Sequence, residues 1–416
     1  MKRTNCMVCN SENLYEFIDC GDQPNGNNFL YPEQVADEVT FTLSMMVCQD
    51  CWEVQISEFP PQELLFCDHP YLSGVNEPVV RHFNELAPRV VNKLGLKDND
   101  LVIDVGCNDG TLLKAFARNG MRVLGVDPSE RPGAVARSQG ITVFQQFWNH
   151  ETGKSLKQLG IRPEVITATA VFYHVPDLHD FVAGLAEVMG PNSFFVVQGV
   201  NLLDLIEKNE FDHFYHEHSC IHAVAPLTKL FAQHGLRIQD LEFSPIHGGS
   251  FILYVCREEN PRATTPAVAE AIAKEQAAGL DKLETYKAFS ARIDHNMATV
   301  RSLLEKLKAE GKTVYALGAP VKGSTVLNRA QIGPDLVEMV TEVNPLKIGR
   351  VTPGTHIPVV DEKTLTAKPD YYLVLAWNFI DFLVGKFDDY LTSGGRFIVT
   401  VPEVRIIGPK GEYETP

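Results

Sequence analysis

The sequence predicts an α/β protein in three parts: a small N-terminal metal-binding module, a middle domain around a parallel sheet, and a smaller C-terminal α/β domain. Three observations predict this. Two C-x-x-C pairs, Cys6/Cys9 and Cys48/Cys51, stand near the start. Residues 101–113, LVIDVGCNDGTLL, run from an apolar strand through a glycine turn into an apolar helix start, as one half of a βαβ unit does. A long amphipathic stretch at 283–307 is followed by a second series of strand and turn signals. The expected boundaries are 1–68, 69–280 and 281–416.

Composition narrows the function. A chain of 416 residues exceeds one ordinary core. It is 44% hydrophobic and 22% charged, the balance of a water-exposed globular protein. The net charge of −16, with no stripe of basic and aromatic residues, speaks against a nucleic-acid backbone as partner. No apolar run approaches the ~20 residues of a membrane span. The first residues, MKRTNCMVC, lack a signal-peptide core. A cytoplasmic protein is expected, with its nine cysteines reduced. Thiols in that compartment bind metals or fill cores.

In chain order, the cysteine pairs come first. Each forms a tight knuckle, and four thiolates close a tetrahedral zinc shell with no open position, so the zinc is structural. Redox C-x-x-C motifs occur singly. Between the pairs, 21–28 is rich in turn residues and 40–47 alternates like a strand. Cys20, Cys67, Cys107, Cys220 and Cys256 lack partner spacing and read as core or incidental thiols. A loop at 67–74 carries Tyr71. Phe83, Leu86, Ala87, Val90, Val91 and Leu94 then fall on one face of a helix that Gly95 ends.

The strand from Leu101 ends at Asp104, and Gly106 and Gly110 free the backbone where strand meets helix. A second strand, 121–126, delivers Asp127 beside that turn, where a carboxylate can accept bonds from two ribose hydroxyls. Three residues separate the glycines, so the G-x-G-x-x-G dinucleotide fingerprint is absent. The pattern D-x-G-x-N-x-G over Asp104, Gly106, Asn108 and Gly110, with Asp127 following, resembles methyltransferases that bind S-adenosylmethionine. The bland alternative is a glycine turn in some other α/β sheet.

Strands at 163–170, 193–197 and 251–256 and a helix at 179–189 continue the alternation, which places ligands at the strand C-termini. A polar, alanine-rich segment, 257–279, breaks it. The helix of 283–307 reads as a connector. Strands at 313–317, 336–343, 371–377 and 396–401, with a turn at 318–323, make the last domain.

Four of the 13 histidines crowd residues 210–222. His213, His216 and His218 stand there with Tyr215 and Glu217, groups suited to moving protons near neutral pH. H-x-x-H-x-H has no familiar metal-ligand frame; a solvated polar loop is the plain alternative. His174 follows the apolar run 165–173, at the end of a strand near the glycine turn.

The full order of motifs resembles one family, the C-methyltransferases of deoxysugar biosynthesis. It comprises both cysteine knuckles, the 104–110 loop, Asp127, HVPD at 174–177, FYHEHSC at 214–220, HGGS at 247–250, LGAPVKGSTVLN at 317–328, VTPGTHIPV at 351–359 and LAWNF at 375–379. The resemblance covers nearly the whole chain. It implies a zinc-binding N-terminal module, a middle class I methyltransferase domain of Rossmann-like type and a C-terminal Rossmann-like domain. It implies transfer of a methyl group from S-adenosylmethionine to the carbon beside the ketone of a dTDP- or GDP-linked 4-keto-6-deoxysugar, at C-3; a monomer is expected. Such a reaction needs a base at the carbon and a proton donor at the ketone oxygen. The resemblance makes His218 the base, with Tyr215 and Glu217 positioning it or the sugar, His174 at the enolate oxygen and Tyr71 over the sugar. Lys322, Asn328, His356 and Asn378 are expected to hold the nucleotide diphosphate; a plain strand–helix turn is the alternative for the Lys322 region. The sequence departs from the family pattern at Ser73–Gly74, where a serine pair is usual, and at Gln198–Gly199, where an acid is expected. Rival functions are transfer to oxygen or to another small molecule, and a zinc-ribbon nucleic-acid-binding protein.

Overall fold

Three sheets organise the computed structural model, which describes residues 2–67 and 71–411 and the backbone of Tyr413–Glu414. The centre of the predicted 67–74 loop and the boundary between 68 and 69 lie outside the described residues. The first sheet pairs β1 (Leu14–Pro24), β2 (Thr40–Cys48) and β3 (Val54–Ile56) antiparallel. The first half of the 21–28 segment, read as turn, belongs to β1. A register shift between Asp19 and Asp22 absorbs Gly21 as a bulge instead of ending the strand, after an earlier shift between Glu16 and Ile18.

The middle sheet takes β4 (Leu101–Val105), β5 (Arg122–Val126), β6 (Val143–Phe144), β7 (Val165–Thr169) and β8 (Phe194–Val200). A short β9 (Cys220–Ile221) leaves it to pair with β3, which ties the first two parts of the chain together. β10 (Leu236–Ser244) and β11 (Ser250–Arg257) complete the order β10-β11-β8-β7-β4-β5-β6. β4 to β8 run parallel, and β11 lies antiparallel between β8 and β10. All five residues of β4 are buried, because helices cover both faces. The helix Glu77–Leu94 is capped by the Asn76 side chain on Val79 N, turns Val79, Phe83, Leu86, Ala87, Val90 and Leu94 inward, and stops at left-handed Gly95. Strand order reverses at β4, between β5 and β7, the place where open α/β sheets bind ligands.

The helix Leu283–Ala309 follows a shorter one, Pro266–Ala277, that fills much of the alanine-rich segment. It is a core element more than a spacer. Its Tyr286 and Phe289 pack on Phe17 of β1, with ring centroids 5.3 and 6.5 Å apart, and Trp52 stacks on Tyr286 at 6.2 Å. The last sheet contains β12 (Val314–Leu317), β13 (Val340–Glu342), β14 (Val359–Asp361), β15 (Tyr371–Val374), β16 (Arg396–Val399), β17 (Arg405–Ile407) and β18 (Tyr413–Glu414). Its order is β14-β13-β12-β15-β16-β17-β18, with β12 to β16 parallel and the final two antiparallel. The strand expected at 336–343 shrinks to β13, and the turn at 318–323 gives way at Val321 to the helix Val321–Arg329. Order reverses again, here at β12. Among the described residues no helix is long and apolar enough to cross a membrane.

Candidate active site and zinc site

The four knuckle cysteines converge. Their sulfurs lie within 4.8 Å of one another, with Cys6 and Cys51 at 3.4 Å and Cys9 and Cys48 at 3.5 Å. A Zn–S bond of about 2.3 Å implies an S···S edge of roughly 3.8 Å, so the cluster fits one tetrahedral zinc ion. Neighbouring thiols, and then burial, push Cys6 and Cys51 well above the ordinary thiol range. Four sulfurs this close cannot share negative charge without a cation, which zinc supplies.

One cavity of about 740 Å³ is lined from the ends of both parallel sheets and from the N-terminal module. Its first end lies at the β4 reversal, beside Gly106, Asn108 and Asp127. Gly106 has φ 67°, and a Cβ there would stand 2.4 Å from Val171, so only glycine lets the β4 and β7 ends approach. Backbone N–H groups of Asn108 and Ser129 donate to the two oxygens of Asp127 at 2.7 and 2.8 Å and fix the carboxylate. The Asn108 side chain donates to Tyr71 O and accepts from Ser73 N, holding the entering loop over this end. Asp104 and Gly110 do not line the cavity. Asp104 is buried against Thr167 Oγ1 at 2.6 Å, and burial pushes it up to about 7. Gly110 starts the helix Thr111–Arg118. Gly106, Asn108 and Asp127, together with Arg131, Gln146 and Trp148, fit a nucleoside such as that of S-adenosylmethionine.

Farther in, the structure brings His174, Tyr215, Glu217 and His218 to the cavity wall, with half-exposed Tyr71 above them. The loop after the helix Leu202–Glu207 folds back over the sheet, and its turn Phe211–His213 leads into the cluster. The ring of His218 is enclosed by Tyr215 at 3.9 Å, Tyr173 at 4.6 Å, His174 at 5.1 Å and His213 at 5.9 Å. Burial, then the charge of His174, holds His218 well below the usual histidine range. Its Nδ1 is buried and has no hydrogen-bond partner among the described residues. His174 Nδ1 donates to the Glu217 carbonyl at 2.6 Å, which leaves Nε2 to face other partners. Burial, then Glu217, keeps the Tyr215 hydroxyl protonated far above its ordinary range. His216 takes no part in the cavity lining; its Nε2 bonds Phe41 O at 3.1 Å and anchors β2. His222 bonds Glu53 and Cys220 beneath the β3–β9 pair.

Of the four residues expected at the diphosphate, Lys322 and Asn378 line the cavity, whereas Asn328 and His356 do not. The Asn328 amide bonds the carbonyls of Ser324 and Pro353, and His356 bonds Glu38 at 2.7 Å. Lys322 reaches into the histidine cluster instead. Its Nζ donates to His213 Nε2 at 2.6 Å, beside the buried carboxyls of Glu210 and Asp212. Burial pushes Glu210 up to about 7.

Sequence reasoning missed several cavity residues. Asn27 donates to Glu217 Oε1 at 2.7 Å, so the N-terminal module touches the histidine cluster. The run NGNN at 25–28, read only as turn, was its signal. Gln198, buried at the end of β8, bonds His82 at 2.7 Å where an acid was expected. Lys347 and Arg350 line the far end and follow no motif in the sequence.

Comparison with known proteins agrees with this layout. Residues 79–241 match the family described as a methyltransferase domain, 245–402 the C-methyltransferase C-terminal domain, and 6–66 a zinc binding domain. The C-methyltransferase NovU of Streptomyces niveus is 32% identical over 97% of this chain and 96% of its own. The ubiquinone biosynthesis O-methyltransferase of Azorhizobium caulinodans is 31% identical over 31% of this chain and 50% of its own. The magnesium protoporphyrin IX methyltransferase of Synechocystis, solved with bound SAH, shares 20% identity over 43% of this chain and 83% of its own. Its TM-score of 0.35 is too low to carry an argument.

Proposed function

This chain belongs to the C-methyltransferase family that includes NovU and is an S-adenosylmethionine-dependent C-methyltransferase; from that premise we propose that it methylates C-3, beside the ketone, of a nucleotide-linked 4-keto-6-deoxysugar. The observation that carries the proposal is His218, a residue of the wall of a cavity that also holds the donor end, whose buried Nδ1 has no hydrogen-bond partner among the described residues. A carbon beside a ketone becomes a nucleophile only when a base removes its proton and the charge moves to oxygen. His218 accepts that proton because burial keeps it neutral. Tyr215, protonated throughout the working range, donates toward the developing oxyanion. His174 joins it from Nε2 when its ring is protonated, since Nδ1 is committed to the Glu217 carbonyl. Glu217, held by Asn27, orients the cluster, and Tyr71 covers the sugar. Asp127, with Gly106 and Asn108 beside it, grips the ribose of the donor. Bound S-adenosylmethionine supplies the electrophilic methyl group.

Mass spectrometry after incubation with S-adenosylmethionine and a panel of dTDP- and GDP-linked 4-ketosugars should show a methylated sugar. The proton at the methylated carbon should exchange with solvent deuterium even without donor. Methylation without such exchange would point to an oxygen acceptor.

A further inference from the structure

We propose that Gln198 reads the acceptor: its carboxamide donates a hydrogen bond to a hydroxyl oxygen on or next to the carbon that is methylated, and so selects hydroxy-ketosugars over their deoxy and amino counterparts. The inference rests on the nucleotide-sugar reading above and deepens it by naming a substituent. Strand alternation places the residue. In β8, Phe194, Val196 and Gln198 fall on one side, and the first two pack with Val79 and Phe83 of the helix Glu77–Leu94. Gln198 follows near the C-terminal end of the strand, where it lines the cavity, as Val79, Phe83 and His247 also do.

Gln198 is 2% exposed, and its Oε1 lies 2.7 Å from His82 Nε2. A carbonyl oxygen only accepts, so His82 donates from Nε2. Burial holds His82 below the usual histidine value, which keeps its ring neutral near neutral pH. This bond fixes the carboxamide with its NH2 as the free end, and Nε2 has no hydrogen-bond partner among the described residues. A buried donor without a partner is costly, and a ligand oxygen removes that cost. The residue also borders the reacting cluster. A Cβ at neighbouring Gly199 would stand 3.3 Å from the Tyr173 ring, which lies 4.6 Å from the ring of His218. Hydrogen-bond chemistry then sets the selectivity. A hydroxyl offers lone pairs to the N–H, a C–H offers none, and an ammonium carries only hydrogens. An ammonium would also meet the positive charge of Lys322, which already acts on His218 and His247.

The test pairs turnover with calorimetric titration of the full chain, S-adenosylhomocysteine being present in the titrations. The probes are dTDP- and GDP-linked 4-keto-6-deoxysugars that carry hydroxyl, hydrogen or amine at C-2 or at C-3. The wild type should favour hydroxyl over hydrogen and over amine at one of these carbons by roughly tenfold or more, the order expected of one hydrogen bond. Gln198→Leu should erase the difference between hydroxyl and hydrogen. Gln198→Glu keeps the size of the side chain and an acceptor for His82; it should weaken the hydroxy sugar and improve the amino sugar, because a carboxylate accepts from an ammonium. Affinity for S-adenosylmethionine should be unchanged in both variants. A wild type without a hydroxyl preference at either carbon overturns the proposal. So does the wild-type ranking in Gln198→Glu, or a loss shared by every sugar and the donor, which would make Gln198 a wall residue only. If the preference in affinity follows Gln198 but no sugar is methylated, the contact stands and the reaction reading above falls; if no sugar binds, both fall.

Discussion

A histidine that takes a proton from carbon must meet its substrate neutral, and His218 is placed to do so. Burial and the neighbouring His174 depress its affinity for protons, so it stays unprotonated as pH falls through the ordinary histidine value of 6.5. The acid limb of kcat/KM should therefore lie below pH 6.5, and a limb at or above 6.5 would assign the base to another group. His218→Asn should leave donor and sugar binding intact and slow both methylation and solvent exchange by about 10²–10⁴-fold, the usual worth of a general base. Exchange at the wild-type rate would take the base away from His218 to another group of the cavity, and not to His216, which is committed to Phe41 outside it. At the donor end, Asp127 is pre-oriented by two backbone N–H groups. Asp127→Ala should weaken S-adenosylmethionine binding by roughly 1.5–3 kcal/mol, the range for hydrogen bonds to a charged group, as read by calorimetry.

At the scale of elements, the turn Ile246–Gly248 joins β10 to β11 under the reacting cluster. Gly248 has φ 92°, and a Cβ there would lie 2.1 Å from Glu210 Oε2, itself 3.5 Å from His213. Gly248→Ala combines a left-handed backbone, costing about 1–2 kcal/mol, with a clash against a buried carboxyl. Gly140, at φ 83° with open space around it, carries the backbone term alone. Denaturant unfolding should show Gly248→Ala more destabilising than Gly140→Ala, and equal losses would mean Glu210 moves aside freely. The same contrast explains what could be read from the sequence. Glycine turns, cysteine knuckles and helix faces are local, so β4 with the glycine turn after it, the clustering of the four cysteines and the Glu77–Leu94 helix were legible. His216 and His218 lie two residues apart in one motif, yet only the fold sends one ring to β2 and the other to the cavity. Lys322, Asn328 and His356 were expected on one ligand, but tertiary partners direct Lys322 to His213 and His356 to Glu38. Asn27 and Lys347 were illegible because their partners are far away in the chain.

For the whole molecule, the wiring between the three parts gives the zinc a reach beyond its own module. Asn27, Phe29 and Leu30 follow β1, whose sheet is pinned through β2 and β3 to the knuckle at Cys48 and Cys51. Asn27 bonds Glu217 in the histidine cluster; Phe29 O and Leu30 O accept bonds from Arg350 and Val351, between β13 and β14. β9 carries the chain from His218 straight into the same N-terminal sheet. The metal should be present at about one equivalent per chain, as four thiolates require. Chelation, or Cys48→Ser, should loosen residues 25–31 first and slow turnover. Affinity for S-adenosylmethionine should hold, because Asp127 and Gly106 belong to the middle sheet. Parallel measurement of bound zinc, donor affinity and methylation rate separates the cases. A zinc-free protein that methylates at full rate would confine the module to scaffolding. Loss of donor binding in step with zinc would show that the middle sheet does not hold its site without the N-terminal one.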